Sequence, residues 1–86
     1  MPVTVEFLGL PRLRAGCASV RVDAGTMADV LRAVEQACPG LGGLLIDGRI
    51  SAHVLVSING RRFVDDVRQP VSPGDCVLLL SADAGG

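Results

Sequence analysis

The sequence finishes Ala84-Gly85-Gly86, and a diglycine ending in a free carboxylate is a place where chemistry can be done on the backbone itself. Glycine has no Cβ and adopts almost any backbone conformation, so Gly85-Gly86 fits a tunnel too narrow for a side chain. Residues 82–86 hold no large side chain, and fully extended they span about 17 Å. The expectation is a domain over residues 1–81 followed by a flexible tail over 82–86 that carries the Gly86 carboxylate into a partner's active site. The alternative at this level is an ordinary frayed end, since small residues also mark those.

Other reactive groups are sparse. All eight basic residues are Arg, so the chain offers no ε-amine as nucleophile, Schiff-base former or isopeptide acceptor. Cys17, Cys38 and Cys76 are odd in number and widely spaced, which fits neither a disulfide framework nor a CxxC metal or redox motif. Each reads as a small buried hydrophobe. His53 has no second His near it and reads as neither a zinc ligand nor a general base, so no metal site is expected.

The net charge is −1 and the arginines are scattered, with Phe7 and Phe63 the only aromatics. Neither a basic stripe nor a stacking platform accumulates, which excludes nucleic acid as a partner. No apolar run approaches about 18 residues and no charged segment precedes a hydrophobic stretch at the N-terminus, so neither a membrane span nor a secretory signal is read and the location expected is cytoplasmic. With 49% apolar and 20% charged residues, the chain reads as one compact domain whose core is built from Val, Leu, Ile and Ala.

The elements that must position the tail follow from periodicity. Val3 to Leu8 alternates apolar and polar, a strand with Val3, Val5 and Phe7 inward, closed by Gly9 and Pro11. After a short Arg-bearing connection, Ser19 to Asp23 alternates again and should pair antiparallel with the first strand. Thr26 with Asp29 forms an acidic capping box for a helix whose stripe is Met27, Val30, Leu31, Val34, Ala37 and Cys38. Asp29, Arg32, Glu35 and Gln36 form its wet side, and Pro39-Gly40 ends it. Leu41 to Ile46 reads as a turn of helix or an irregular segment capping the core, and Asp47-Gly48 as a turn.

Val54, Val56 and Ile58 alternate with Leu55, Ser57 and Asn59 in a third strand. Asn59-Gly60 signals a type I′ hairpin, with Arg62 to Val64 returning. Cys76 to Ser81 is a nearly continuous apolar run that suits a central strand, from whose end the tail departs. The order of elements predicts an α+β domain in which a mixed sheet of four to five strands wraps one main helix.

In this order the chain resembles the MoaD/ThiS family of ubiquitin-like sulfur-carrier proteins. The resemblance rests on Val3 to Leu8, Gly25-Thr26, Pro39-Gly40-Leu41, Val56-Ser57-Ile58-Asn59-Gly60, Pro73-Gly74-Asp75-Cys76-Val77 and Ala84-Gly85-Gly86. It implies the β-grasp (ubiquitin-like) fold and tells against a frayed tail. It further implies that an ATP-dependent adenylating enzyme activates the Gly86 carboxylate and that a sulfur donor, a persulfide or sulfurtransferase, converts it to a thiocarboxylate. Gly85 and Ala84 then serve as clearance, and a downstream synthase consumes the sulfur. On this reading the chain binds no cofactor, ATP being used by the partner. It is a carrier rather than an enzyme, or the small subunit of a heteromeric synthase.

Alternation also suggests a docking face. If Val77 and Leu79 face the helix, as Val54, Val56 and Ile58 do, then Leu78 and Leu80 face outward with Leu55 and Leu8. Three functions stay open: a sulfur carrier for molybdopterin, thiamine or another thio-metabolite, a ubiquitin-like modifier joined through Gly86 to target lysines, and an interaction module with an inert tail.

Overall fold

A computed structural model of the 86-residue chain describes residues 1–82. Its centre is a mixed five-stranded sheet of β1 (Val3–Phe7), β2 (Ser19–Val22), β6 (Val54–Ile58), β7 (Arg62–Phe63) and β9 (Cys76–Ser81). The spatial order is β2-β1-β9-β6-β7. β1 and β2 pair antiparallel, with Val3 opposite Val22 and Val5 opposite Val20. β9 runs parallel to β1, Val5 opposite Val77, and antiparallel to β6, Leu55 opposite Leu80. The last strand is therefore central, as its apolar run requires.

One face of this sheet is covered by α2 (Met27–Ala37). Val3, Val5, Phe7, Val56, Val77 and Leu79 from the sheet and Met27, Val30, Leu31 and Val34 from the helix are all but inaccessible and form the core. Fully burying a side chain of this size contributes roughly 1.5–3 kcal/mol. The helix starts where the sequence predicts. The Thr26 hydroxyl accepts from the Asp29 N–H at 3.2 Å, and the Asp29 carboxylate accepts from the Thr26 N–H at 3.0 Å. Two more first-turn donors, the Met27 and Ala28 N–H groups, go to the carbonyls of Gln69 and Val67. All four of these helix-start donors are thereby satisfied.

At the far end the stripe loses one member. Ala37 is exposed, whereas Cys38, now the C-cap, is buried as the stripe predicts. Glu35 also departs from the wet side assigned to it. Its Oε2 accepts from the N–H groups of Gly43, Leu44 and Leu45 at 3.1, 3.0 and 3.4 Å. A carboxylate gathers three consecutive backbone donors in this way because the chain at Gly43 turns with φ +90° and points them together.

The segment expected as a turn of helix or an irregular stretch holds both a helical turn and a short strand. A 3₁₀ turn (Pro39–Leu41) leads into a hairpin of β4 (Leu45–Ile46) and β5 (Arg49–Ile50), whose turn residues Asp47 and Gly48 both have positive φ. β3 (Gly25–Thr26) pairs with β8 (Pro70–Val71) beside the helix start. The connection after β1, expected as a short Arg-bearing link, contains a helix, α1 (Leu10–Ala15). It holds six residues, too few for a periodic stripe, and its boundary signals are Pro11 in the first turn and Gly16 at the left-handed C-cap, φ 76°. α1 lies hard against the 3₁₀ turn. A Cβ at Gly40 would overlap the Arg14 carbonyl oxygen, so this contact admits only glycine.

Three carboxylates, exposed at Asp29 and Asp66 and half-buried at Asp75, are held below the ordinary value of 3.8. Asp29 is lowered chiefly by the Thr26 N–H, Asp75 by the Ser72 N–H and then Asn59, and Asp66 by the Arg68 N–H. Because the folded-state values are depressed, the unfolded chain binds more protons in acid, so stability rises with pH there. Their contribution is complete above about pH 4 and is lost as pH falls through the lowered values. Melting temperatures followed by circular dichroism should fall on the acid side of that point, and Asp75→Asn should make the fall shallower; an unchanged slope would contradict the assignment.

Candidate functional site

The chain end is delivered by β9. Ser81 closes the strand opposite Val54, and the Ala82 N–H donates to the His53 carbonyl at 2.9 Å. Gly86, Gly85 and Ala84 lie outside the described residues. What the structure gives is the surface from which they depart.

The register determines that surface. Strand neighbours point to opposite faces, so with Val77 and Leu79 buried against α2, Leu78 and Leu80 stand on the open face. Leu80 is directly opposite Leu55 on β6, and Leu78 lies between Glu6 on β1 and Ser57 on β6. Leu78, Leu80 and Leu55 are half-buried. Leu8 follows β1, exposed at 43%, with its N–H donating to the Leu79 carbonyl at 2.9 Å. The four leucines named from the sequence thus gather on the open side of adjacent strands.

The structure adds a residue that alternation missed. Phe63 on β7 is opposite Ser57, 64% exposed, and shares a groove with Leu55 at the β6 edge. Ser57 is buried between its register neighbours Leu78 and Phe63. The hairpin joining β6 to β7 has Asn59 and Gly60 at positive φ and is closed by the Arg61 N–H donating to the Ile58 carbonyl at 3.1 Å. Arg62, not Arg61, then pairs with Ile58. That extra residue sets which face Phe63 takes, a bulge the sequence alone does not announce.

The other end of the sheet carries charge and a thiol. Cys76, half-buried opposite Thr4, has its pKa pushed up by burial and by the Glu6 carboxylate. Its N–H donates to Asn59 Oδ1 at 2.9 Å, the Asn59 N–H returns to the Cys76 carbonyl at 2.7 Å, and Asn59 Nδ2 reaches Asp75 Oδ1 at 3.1 Å. This clamp fastens the hairpin turn to the first residue of β9.

A cleft of about 330 Å³ opens at the opposite end, where β9 finishes. Leu10, Pro11 and Arg14 of α1, Leu41 to Leu44, Ile46, Ser51, His53, Val54 and Ser81 line it. Leu10 and Ile46 are 46% and 52% exposed. His53, read from sequence as inert, sits at this mouth. Of the cysteines, Cys38 is buried and Cys76 half-buried, but Cys17 is exposed, contrary to the buried role expected of it. It follows the Gly16 cap in a turn, where no periodic pattern directs a side chain inward. Among the described residues no cluster of three or more His, Cys, Asp or Glu forms, and no helix is long and apolar enough to cross a membrane.

No family model matches the sequence. Small archaeal modifier protein 3 of Haloferax volcanii is 42% identical over 67 residues, which is 74% of this chain and 73% of that protein. The chain belongs to the ubiquitin-like MoaD/ThiS family. The crystal structure of SAMP1 from Haloferax volcanii superposes with TM-score 0.85 at 26% identity, covering 100% of both chains. The Amycolatopsis orientalis BexX/CysO complex matches with TM-score 0.79 at 25% identity, over 98% of this chain and 99% of that one. The fold is the β-grasp inferred from the sequence, and the relatives are small ubiquitin-like carriers or modifiers rather than enzymes.

Leu79 and Leu80 are adjacent, chemically identical and on opposite faces, so they test the register directly. Leu79→Ala should cost about 2–5 kcal/mol, whereas Leu80→Ala should cost less than about half as much. Urea unfolding of the two variants checks this, and equal losses would place both leucines in the core.

Proposed function

We propose that the protein is a sulfur carrier whose Gly86 carboxylate is adenylated by a partner enzyme and converted to a thiocarboxylate that donates sulfur in biosynthesis. The chemistry divides naturally. A carboxylate is a poor electrophile until one oxygen becomes part of a phosphate-type leaving group, and the adenylating partner supplies that with ATP. A persulfide or sulfurtransferase then provides sulfur, and a synthase takes the product toward molybdopterin, thiamine or another thio-metabolite. The chain contributes the handle and the surface by which it is recognised. Such a role is at home in the cytoplasm.

The observation that carries this reading is the position of β9. A central strand holds the tail's root at Ser81–Ala82 beside the open-face leucines, so a partner can engage Leu78, Leu80, Leu55 and Leu8 while it receives Ala84-Gly85-Gly86. The relative found in a complex with a second protein supports engagement of a partner of this kind.

A second reading, conjugation of Gly86 to lysines of target proteins, is favoured by the name of the 42% identical relative, a modifier. Intact-mass analysis of the protein isolated from its own host separates the two. A gain equal to the difference between sulfur and oxygen on the C-terminal glycine is the expected result; covalent protein adducts with no such species would favour conjugation. Docking is tested by Leu80→Asp, which should weaken binding to the adenylating partner by about tenfold or more, equivalent to about 1.4 kcal/mol, while the circular dichroism spectrum is preserved. Unchanged affinity in a folded variant would move the docking surface elsewhere.

A further inference from the structure

Two of the cysteines, 21 positions apart in sequence, lie on segments that pack together in the fold. Cys17 is exposed just past the left-handed Gly16 cap of α1, and Cys38 is buried at the junction of α2 with the 3₁₀ turn. Two observations bring the segments together. The Arg14 carbonyl packs so closely on Gly40 that no side chain fits between α1 and the 3₁₀ turn. This packing makes Cys17 a neighbour of Cys38, whose pKa is pushed up first by burial and then by Cys17. Both thiols are free, and Cys76 lies on the other, open face of the sheet.

We propose that Cys17 and Cys38 form a redox site, closing reversibly into a disulfide that fastens α1 to the C-terminal end of α2. The site needs a small-molecule disulfide as oxidant. The exposed Cys17 thiolate attacks one sulfur of that disulfide, forming a mixed disulfide on Cys17 and releasing the first thiol. Cys38, on the adjoining segment, loses its proton and attacks the Cys17 sulfur. The Cys17–Cys38 bond forms, the mixed bond breaks, and the second thiol leaves with a proton. The oxidant gains two electrons and the protein loses two hydrogens. Accessibility sets the order, since Cys38 is only 4% exposed and cannot be reached first.

The consequence is local to the chain end. α1 and the 3₁₀ turn both line the cleft beside Ser81, so the bond fixes the spacing of these elements where the tail departs. Nothing in this chemistry depends on what happens at Gly86.

The test uses the full folded chain and oxidised glutathione as the probe, followed by alkylation under denaturing conditions, trypsin digestion and mass spectrometry. The expected product has lost the mass of two hydrogens, links the peptides 15–21 and 33–49, leaves Cys76 alkylated, and returns to three alkylated thiols after dithiothreitol. Cys38→Ser should stop at a glutathione adduct on Cys17. Cys17→Ser, altered at an exposed position, should fold and leave Cys38 resistant to the probe; it serves where Cys38→Ser fails to fold. A stable glutathione adduct on Cys17 of the wild-type chain, three unmodified thiols, or any link to Cys76 would overturn the proposal.

Discussion

A strand with leucines on both faces carries little information about its own register, and the structure depends on how β9 obtains one. Val77-Leu78-Leu79-Leu80 would be nearly as apolar after a one-residue slip, yet such a slip would exchange every buried side chain for an exposed one. The information comes from polar groups at the start of the strand. Asn59 holds the Cys76 backbone from both sides and reaches Asp75, while Asp75 is anchored by the Ser72 N–H and its carbonyl accepts from the Thr4 N–H. These contacts join the β6–β7 turn, the beginning of β1 and the approach to β9 at one point. Once that point is fixed, Leu79 faces Phe7 and Val56 and the two ladders propagate.

The opposite end of the sheet solves a different problem. Core residues there, Leu41 and Leu44, come from a segment without regular periodicity, and burying an irregular backbone requires its donors to be answered. Glu35 answers three of them from α2, and the Ser51 N–H, donating to the Leu44 carbonyl at 2.8 Å, ties the β4–β5 hairpin back to the segment. Gly40 then allows α1 to close on it. The cleft beside Ser81 is what remains where three short elements meet rather than one long one.

These two ends explain what could be read in advance. β1, α2 and the Asn59-Gly60 turn were legible because hydrophobic period, a capping box and a positive-φ pair are local signals. The central place of β9 was legible because a run apolar on both faces belongs in the middle of a sheet, whereas its parallel pairing with β1 was not. α1 was not, since six residues cannot display a helical stripe. The nest around Glu35 and the close packing of Arg14 on Gly40, which brings Cys17 toward Cys38, join residues far apart in sequence through packing that no local pattern encodes. On the open face Leu55, Leu78 and Leu80 followed from alternation, whereas Phe63 depended on a bulge of one residue. Ala84, Gly85 and Gly86 are known from sequence alone.

The register clamp has a consequence for any partner that reads both the leucines and the chain end. From Leu80 to Gly86 is six residues, at most about 20 Å of extended chain, and three of the four leucines lie on β9 and its antiparallel neighbour β6. A slip of β9 would turn Leu80 inward and displace the strand end by about 3.3 Å relative to Leu55. A partner that grips Leu55 and Leu80 together therefore measures the distance to the terminal carboxylate through the β6–β9 pairing. On the proposed function, the clamp at Asn59 and Asp75 then also sets where the chain end is presented at the other end of the strand. For this reason a rigid body built around a central β9 suits the chemistry proposed for the tail.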